Sequence, residues 1–533
     1  MAVAEGTRVA RRAGTVAAFT LLSRILGYTR DAVMAHAFGA GVAFDAFVAA
    51  QTIPNVFRRL VAEGTLMIAF VPLLAHEERA RGLAGMRRFA AAVLGALLPV
   101  LVVLTALGML FPGLLVDAFA SGFDGERARL AERMTRIMMP FLFFVSLVAV
   151  AGGALNARGI FGPPAAAPVF LNLAIIGATL GATAWFDVPI EAAAWGVLAG
   201  GVLQLLLQLP FLAKAGLWVR PVWRPRDPTL RTLLVRMGPA VFGVGVYQLN
   251  LVVIRQIASF LPQGQLSCYF YATRLEEFAL GVFAVSISIA ALPTLSQHAA
   301  RNDLVAFRRT LLGALRATNF ITIPAMVGLF ALALPIVSVL FQHGAFSAGD
   351  AELTARLVRV MAFALVPIGL VRVLVPAYYA VGDTRLPVGA AATSLAATTA
   401  IGLALQGPLE IFGLTIATAV AAGLQLTVLI AFFGRRVEHS LDVSGDVKVP
   451  PMSGLAAHAG RCLIAMVPAA LLAGWVAVRF DWVGQTLPLL ARVGILAATV
   501  TACAASYFGL AHVLGVPEGV RLGNAVRRRF SRR

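Results

Sequence analysis

The chain has 533 residues, of which 59% are hydrophobic and only 13% charged, and its mean hydropathy is +0.86. A soluble domain carries about 25% charged residues, so a soluble enzyme or binding module is excluded. The net charge of +19 would suit nucleic acid, but its distribution along the chain argues against that partner.

Apolar stretches of about 20 residues follow one another from residue 14 to residue 515, each long enough to cross a bilayer core. They lack the alternation of a barrel strand. The expected fold is therefore an all-α polytopic membrane protein, because in lipid each segment must satisfy its own backbone. Fourteen spans are expected, starting near residues 14, 42, 86, 129, 161, 189, 230, 268, 304, 350, 384, 411, 455 and 487. The first apolar run follows a basic start but contains Arg24, Arg30 and Asp31 and leads to no convincing cleavage site. It is expected to stay as span one rather than act as a removable signal.

With the N-terminus inside, alternate loops collect the basic residues. They hold Arg79, Arg81, Arg87 and Arg88; Arg158; Lys214, Arg220, Arg224, Arg226 and Arg231; Arg301, Arg308 and Arg309; Arg385; and Arg435, Arg436 and Lys448. The intervening loops, "FDVPIE", "LPQGQLS", "QHGAFSAGDAE" and "QGPLEIFG", hold no Lys or Arg. Arg127, Arg129 and Arg479 break the pattern. This asymmetry places both termini in the cytoplasm, and the basic loops suit contact with anionic membrane lipids.

Two internal echoes group the spans. "IAFVPLL" at 68–74 returns as "IAALPTL" at 289–295, and the A-x-x-A-x-G-x-x-x-x-P pattern of 154–164 returns at 377–387. The nearly equal offsets suggest a duplicated six-span unit. We expect an N-lobe at 14–213, a cytoplasmic linker at 214–235, a C-lobe at 236–436, a cytoplasmic loop at 437–454, an appended span pair at 455–515 and a basic tail at 516–533. Parallel repeats of this kind place a substrate site at their interface.

The stretch "TIPNVFRRLVAEGTL" at 52–66 puts Arg58, Arg59 and Glu63 inside an apolar run. Arg24, Arg30, Arg255, Arg274 and Arg372 lie at comparable depth, as do Asp31, Asp45, Glu276 and Glu277. A charge at mid-membrane costs roughly 2.5–3.5 kcal/mol on insertion scales, so such residues usually face a bundle interior or a wet cavity. Arg30 with Asp31, Arg59 with Glu63 and Arg274 with Glu277 are spaced to form local pairs that merely make insertion tolerable. The other reading is an anionic cargo, since a guanidinium fork matches phosphate oxygens in pairs. A cation exporter would instead need carboxylates without basic company. Gly27 and Pro54, beside these charges, are candidate hinges. The seven histidines and three cysteines show no metal-ligand or redox spacing.

The ordered set S-R-x-L-G-x-x-R-D at 23–31, D-A-F at 45–47 and P-N-x-x-R-R-x-x-A-E-G at 54–64 resembles the N-terminal signature of the MurJ (MviN) family. These are the bacterial lipid II flippases of the MOP (multidrug/oligosaccharidyl-lipid/polysaccharide) exporter superfamily. "GALNARGIFGPPAAAPVFLN", "GVLQLLLQLPFL", "MGPAVFGVGVYQLN" and "FYATRLEEFALGVF" extend the likeness along the chain.

The resemblance implies a non-enzymatic transporter without cofactor, driven by membrane potential or an ion gradient, that carries lipid II from the cytoplasmic to the periplasmic leaflet of the bacterial inner membrane by alternating access. It implies substrate contacts at Ser23, Arg24, Arg30, Asn55, Ser267 and Arg274, with Arg24, Arg30 and Arg274 on the pyrophosphate. It implies gating or portal roles for Asp31, Asp45, Arg58, Arg59, Glu63 and Glu277, and a lipid-tail groove in the last two spans. Partners would be lipid II, membrane lipids and cell-wall synthesis proteins. Thr273 and Ala279 depart from the family's Asp and Pro, which puts local gating geometry in question. The rival readings are a flippase for another polyprenyl-pyrophosphate glycan, a cation or drug antiporter of the same superfamily, and a membrane scaffold for cell-wall enzymes.

Overall fold

The computed structural model describes residues 2–61, 65–438, 451–452 and 454–530, and Glu63 lies outside them. Every regular element among the described residues is helical, as expected where lipid leaves the backbone no partner but itself. The chain forms two compact units, residues 1–267 with 344–346, and residues 268–343 with 347–533.

The first unit contains α1 (Ala2–Phe38), α2 (Val42–Val61), α3 (Thr65–Leu110), α4 (Pro112–Ala120), α5 (Gly125–Ala157), α6 (Gly162–Leu180), α7 (Ala182–Trp185), α8 (Ile190–Lys214) and α9 (Pro228–Ser259). α1 and α2 are separated at Gly39, whose φ of 64° is a conformation few other residues tolerate. A Cβ there would stand 2.4 Å from the Ala345 carbonyl oxygen. α3 is broken at Gly82 (φ 64°, ψ −163°), just ahead of the expected start of span three. Asp227 caps α9 by accepting from the Thr229 and Leu230 amides at 2.9 and 3.4 Å, with Pro228 supplying the preset first turn.

Small residues set the closest packing in this unit. Gly196 and Gly200, one turn apart on α8, face α6 so tightly that a Cβ on either would lie 2.9 Å from the Cα of Ile175 or Leu171. Without a hydrophobic driving force between helices in lipid, such backbone approach is what holds a pair together. α1 packs on α6 and α2 on α5, which fixes the charged segments of α1 and α2 against a helical frame.

The second unit holds α10 (Gln265–Ala300) from Cys268 onward, α11 (Leu304–Ala331), α12 (Ala333–Leu340), α13 (Ala348–Ala362), α14 (Leu365–Ala380), α15 (Arg385–Ala431), a π-helical turn at Gly434–Glu438, α16 (Gly454–Arg479), α17 (Leu489–Val513) and α18 (Pro517–Phe530). α13 begins with a reciprocal cap, in which Ser347 Oγ accepts from the Asp350 amide and Asp350 Oδ2 accepts from the Ser347 amide. α15 is interrupted at Glu410 (φ 49°, ψ −129°), where spans eleven and twelve were expected to part. α16 and α17 dock on α11: Phe320, Ile323, Cys462, Met466 and Tyr507 share a buried cluster, and Tyr507 Oη donates to the Phe320 carbonyl at 2.8 Å.

Among the described residues, eight helices are long and apolar enough to cross a membrane, or ten if the bent pairs in α10 and α13–α14 each count as one span. The expected fourteen is not reached by this measure. α15 counts once despite its break, and α1 and α2, which carry the inward charges, are not among the eight. The chain is a multi-pass helical membrane protein.

Candidate functional site

Arg30 lies on α1 beside α6. Its Nε and Nη2 donate to Asp31 Oδ1 at 2.9 and 2.6 Å, and its Nη1 donates to Asn172 Oδ1 at 3.1 Å. The Asn172 amide in turn donates to the Ser23 carbonyl at 3.1 Å. Asn172 on α6 thereby holds both the Arg30 fork and the α1 backbone one helical stretch earlier. Gly27 lies between these two contacts, and a Cβ there would come to 3.9 Å from Asn172 Nδ2. Asp31 is buried and Arg30 nearly so, with 3% and 14% of their side chains exposed. Three of the five guanidinium N–H groups are used, which leaves one on each terminal nitrogen.

Asp45, at the start of α2, is wholly buried. Its Oδ2 accepts from the Gly264 amide at 2.8 Å, and its Oδ1 accepts from the Ser267 amide at 2.8 Å and the Ser267 hydroxyl at 2.5 Å. Arg127 Nη1 stands 3.6 Å from Oδ2. That same guanidinium donates to the Leu261, Ser259 and Gly122 carbonyls at 3.2, 3.1 and 3.4 Å and lies over the Phe123 ring at 4.4 Å. One carboxylate and one guanidinium thus tie α2, the start of α5 and the 259–267 turn into a single polar knot. The Ser267 hydroxyl is committed to Asp45 here, as is the carboxylate to Ser267.

Farther along α2, Pro54 is buried and Asn55, Arg58 and Arg59 are half-buried. Asn55 Nδ2 donates to the Gln51 carbonyl at 2.8 Å, which is a bond within its own helix next to the proline. Ser23 and Arg24 are half-buried on α1.

In the second unit, Arg274 Nη1 donates to Glu277 Oε2 at 2.8 Å, and its guanidinium lies 4.5 Å over the Phe270 ring. The preceding Thr273 hydroxyl donates back to the Phe270 carbonyl at 2.7 Å. The threonine that replaces the family's acid is therefore spent on its own helix and adds no charge beside Arg274.

Of the three local pairs suggested by spacing, Arg30–Asp31 and Arg274–Glu277 are present, and the third, Arg59–Glu63, lies outside the described residues. Asn172 and Arg127 were not singled out as site residues. For Arg127 a signal existed: it is one of three basic residues that break the loop-charge asymmetry, and its burial in the knot accounts for it. Arg492 in the second unit, buried and donating to Ser338 Oγ at 3.1 Å, was not among those pattern-breaking residues. Asn172 carried no such signal, since one amide in an apolar run looks the same whether or not it braces an arginine.

Residues 34–492 match the family model described as lipid II flippase MurJ. The lipid II flippase MurJ of Burkholderia cenocepacia is 37% identical over 511 residues, covering 94% of this chain and 96% of that protein. The probable lipid II flippase MurJ of Bdellovibrio bacteriovorus is 35% identical over 526 residues, covering 97% and 96%. Among solved structures, a lipid II flippase MurJ in an inward closed conformation aligns with a TM-score of 0.75 at 24% identity, over 92% of this chain and 98% of that one. An inward-facing multidrug resistance MATE family transporter of the MOP superfamily aligns with a TM-score of 0.69 at 16% identity, over 79% and 96%. At those identities the two structures speak to the fold alone. The match of the family model over most of the chain, with relatives above 30% identity along nearly all of it, carries the assignment: the chain belongs to the MurJ family of lipid II flippases.

Proposed function

We propose that this chain is a lipid II flippase, a transporter rather than an enzyme, that moves the undecaprenyl-pyrophosphate disaccharide-pentapeptide from the cytoplasmic to the periplasmic leaflet by alternating access. The observation that carries the reading is family membership along almost the whole chain. The arginines set within its apolar helices agree with it. A pyrophosphate brings several negative oxygens into a low-dielectric site, and guanidinium forks bind such oxygens in pairs.

Arg30 has the strongest individual case. Asp31 and Asn172 fix its plane, so its remaining N–H groups meet a ligand without first losing the freedom of a long side chain. Arg24 and Arg274 supply further phosphate contacts, with Ser23 and Asn55 as polar neighbours. Arg58, Arg59 and Glu63 act at the gate or portal, and Gly27 and Pro54 give α1 and α2 their bending points. Asp45, Ser267 and Arg127 act as a latch. Access from their side requires that the knot open, and opening exposes a carboxylate and a guanidinium to water together rather than stranding one of them.

The six-span lobes at 14–213 and 236–436 move as the alternating halves, and the helices of 455–515 receive the lipid tail. The protein acts in the bacterial inner membrane with both termini in the cytoplasm. Membrane potential or an ion gradient drives it without a cofactor, and cell-wall synthesis proteins work beside it. The antiporter reading has less support. MATE transporters share the fold at 16% identity, whereas the relatives above 30% identity are named as lipid II flippases.

Arg24→Ala, Arg30→Ala and Arg274→Ala, each confirmed as stably inserted, should abolish or strongly reduce arrival of lipid II at the outer leaflet. Full transport by all three would overturn the pyrophosphate-contact role. Transport of a different polyprenyl-linked glycan in place of lipid II would favour the rival flippase reading.

A further inference from the structure

α8 ends at Lys214, and Gly216, whose φ is 70°, turns the chain out of the helix. The Leu217 amide closes the end on the Leu212 carbonyl at 2.8 Å. The strap that follows, residues 217–224, lies directly on α3. The Val222 amide donates to the Ala91 carbonyl at 3.0 Å, and a Cβ on Gly95 would stand 2.1 Å from the Val222 carbonyl oxygen. Arg87 Nε donates to the Gly216 carbonyl, so α3 grips the strap at both ends.

Two cavities adjoin along this strap and share Val219. The first, about 450 Å³, is lined by Arg87, Arg88, Arg220 and Arg224 with Ala91, Val219 and Val222. No carboxylate lines it among the described residues, and the nearest acidic partner, Asp227, stands 3.9 Å from Arg88. The second, about 180 Å³, is almost wholly aliphatic, with Leu94, Leu147, Leu205, Leu209 and Leu212 on α3, α5 and α8 and Trp218 at its mouth. Trp218 and Trp223 are 60% and 64% exposed, in the position of aromatic residues that mark a membrane–water interface.

A concentrated positive charge beside an aliphatic slot at an interface fits a ligand with an anionic head and a hydrocarbon tail. We propose that these cavities form a binding site for one anionic glycerophospholipid, with its phosphodiester held by Arg87, Arg88, Arg220 and Arg224 and an acyl chain in the leucine slot. A zwitterionic lipid offers the same tail but carries a cationic head group, which four guanidinium groups repel. The site shares no lining residue with the α1 and α10 arginines, and its occupancy does not depend on what the protein transports.

The test is native mass spectrometry of the full-length, delipidated protein in detergent, titrated with phosphatidylglycerol, phosphatidylcholine or inorganic phosphate. Phosphatidylglycerol should bind the native protein in preference to phosphatidylcholine. The surface double variant Arg220→Ala/Arg224→Ala should lose roughly thirtyfold in phosphatidylglycerol affinity, since each of the two basic residues near a membrane surface contributes on the order of 1 kcal/mol and every 1.4 kcal/mol is tenfold. Leu209→Trp, which fills the slot and leaves the charge intact, should weaken the same lipid. The control pair Arg301→Ala/Arg309→Ala should not. The proposal is overturned if the Arg220/Arg224 variant binds phosphatidylglycerol like the native protein, or if the control pair loses as much. It is also overturned if phosphatidylcholine binds equally well or if inorganic phosphate alone binds as tightly. These readouts count bound lipid and not transport, so they stand or fall separately from the flippase reading.

Discussion

Arg127 and Asp45 form a buried pair, Nη1 to Oδ2 at 3.6 Å, that carries α2, α5 and the 259–267 turn on one charge contact. Six further hydrogen bonds surround it, three accepted by Asp45 and three donated by Arg127. A buried pair of this kind resists removal of one partner far more than of both, because the survivor is left charged and unsolvated.

Asp45→Ala should therefore destabilise the protein by about 3–5 kcal/mol, and Ser267→Ala, which removes one of several donors, by about 1 kcal/mol. Thermal unfolding in detergent reads the difference. Equal, small losses for both variants would mean that the knot is not structural, and the latch role would fall with it.

Asn172→Ala should lower lipid II transport while the protein stays folded, because Arg30 keeps its Asp31 partner but loses the bond that orients its fork. The loss of a positioned hydrogen bond to a charged group is worth about 1.5–3 kcal/mol, or roughly tenfold or more in transport rate. Asn172→Asp would add a second carboxylate beside Arg30 and should be worse than alanine. Native transport rates for both variants would remove Asn172 from the site.

Close helix approach at α6 and α8 gives a steric prediction. Gly200→Leu should fail to insert stably or should melt well below the native protein, because a side chain has no room where the Leu171 Cα would be 2.9 Å from the Cβ. Gly177→Ala on α6, where a Cβ meets nothing within 4 Å, should be neutral or slightly stabilising. Thermal melts of the two variants, run side by side, check this contrast.

The C-terminal helix α18 should detach from α16 in acid. Glu518 Oε2 lies 2.8 Å from His458 Nε2. Burial alone would raise the Glu518 carboxyl, but the His458 hydrogen bond and the nearby Arg521 charge more than offset it and hold the group below its ordinary value of 4.5. A depressed carboxyl adds stability that is fully present above that ordinary value and is lost as pH falls below it. The protection factors of the α18 amides, taken against the intrinsic exchange rate at each pH, should fall below about pH 4.5 in the native protein, and Glu518→Gln should remove most of this dependence. Unchanged protection factors across that range would show that the pair does not hold the helix.

Much of the fold could be read before any coordinates, because in a membrane the segment length and the charge asymmetry of loops are physical constraints on their own. Gly82 and Glu410 show how far this went: each breaks a helix close to where the hydropathy reading placed the edge of a span. The charged pairs Arg30–Asp31 and Arg274–Glu277 were legible because their partners lie one and three residues apart. Asn172, Arg127 and the strap on α3 were not legible as a set. Each depends on residues more than 100 positions apart being brought together, and periodicity within a segment carries no record of that. The appended α16 and α17 could be counted but not placed; their packing on α11 through Phe320 and Tyr507 is a tertiary fact.

The most direct test of the central claim is the amount of lipid II in the outer leaflet, read by periplasmic cleavage of the lipid, after this protein is depleted from its own cells. The flippase reading predicts that exposed lipid II falls while the total pool rises, and that native protein but not Arg30→Ala restores exposure. Unchanged exposure on depletion, in cells shown to have no second lipid II flippase, would contradict it.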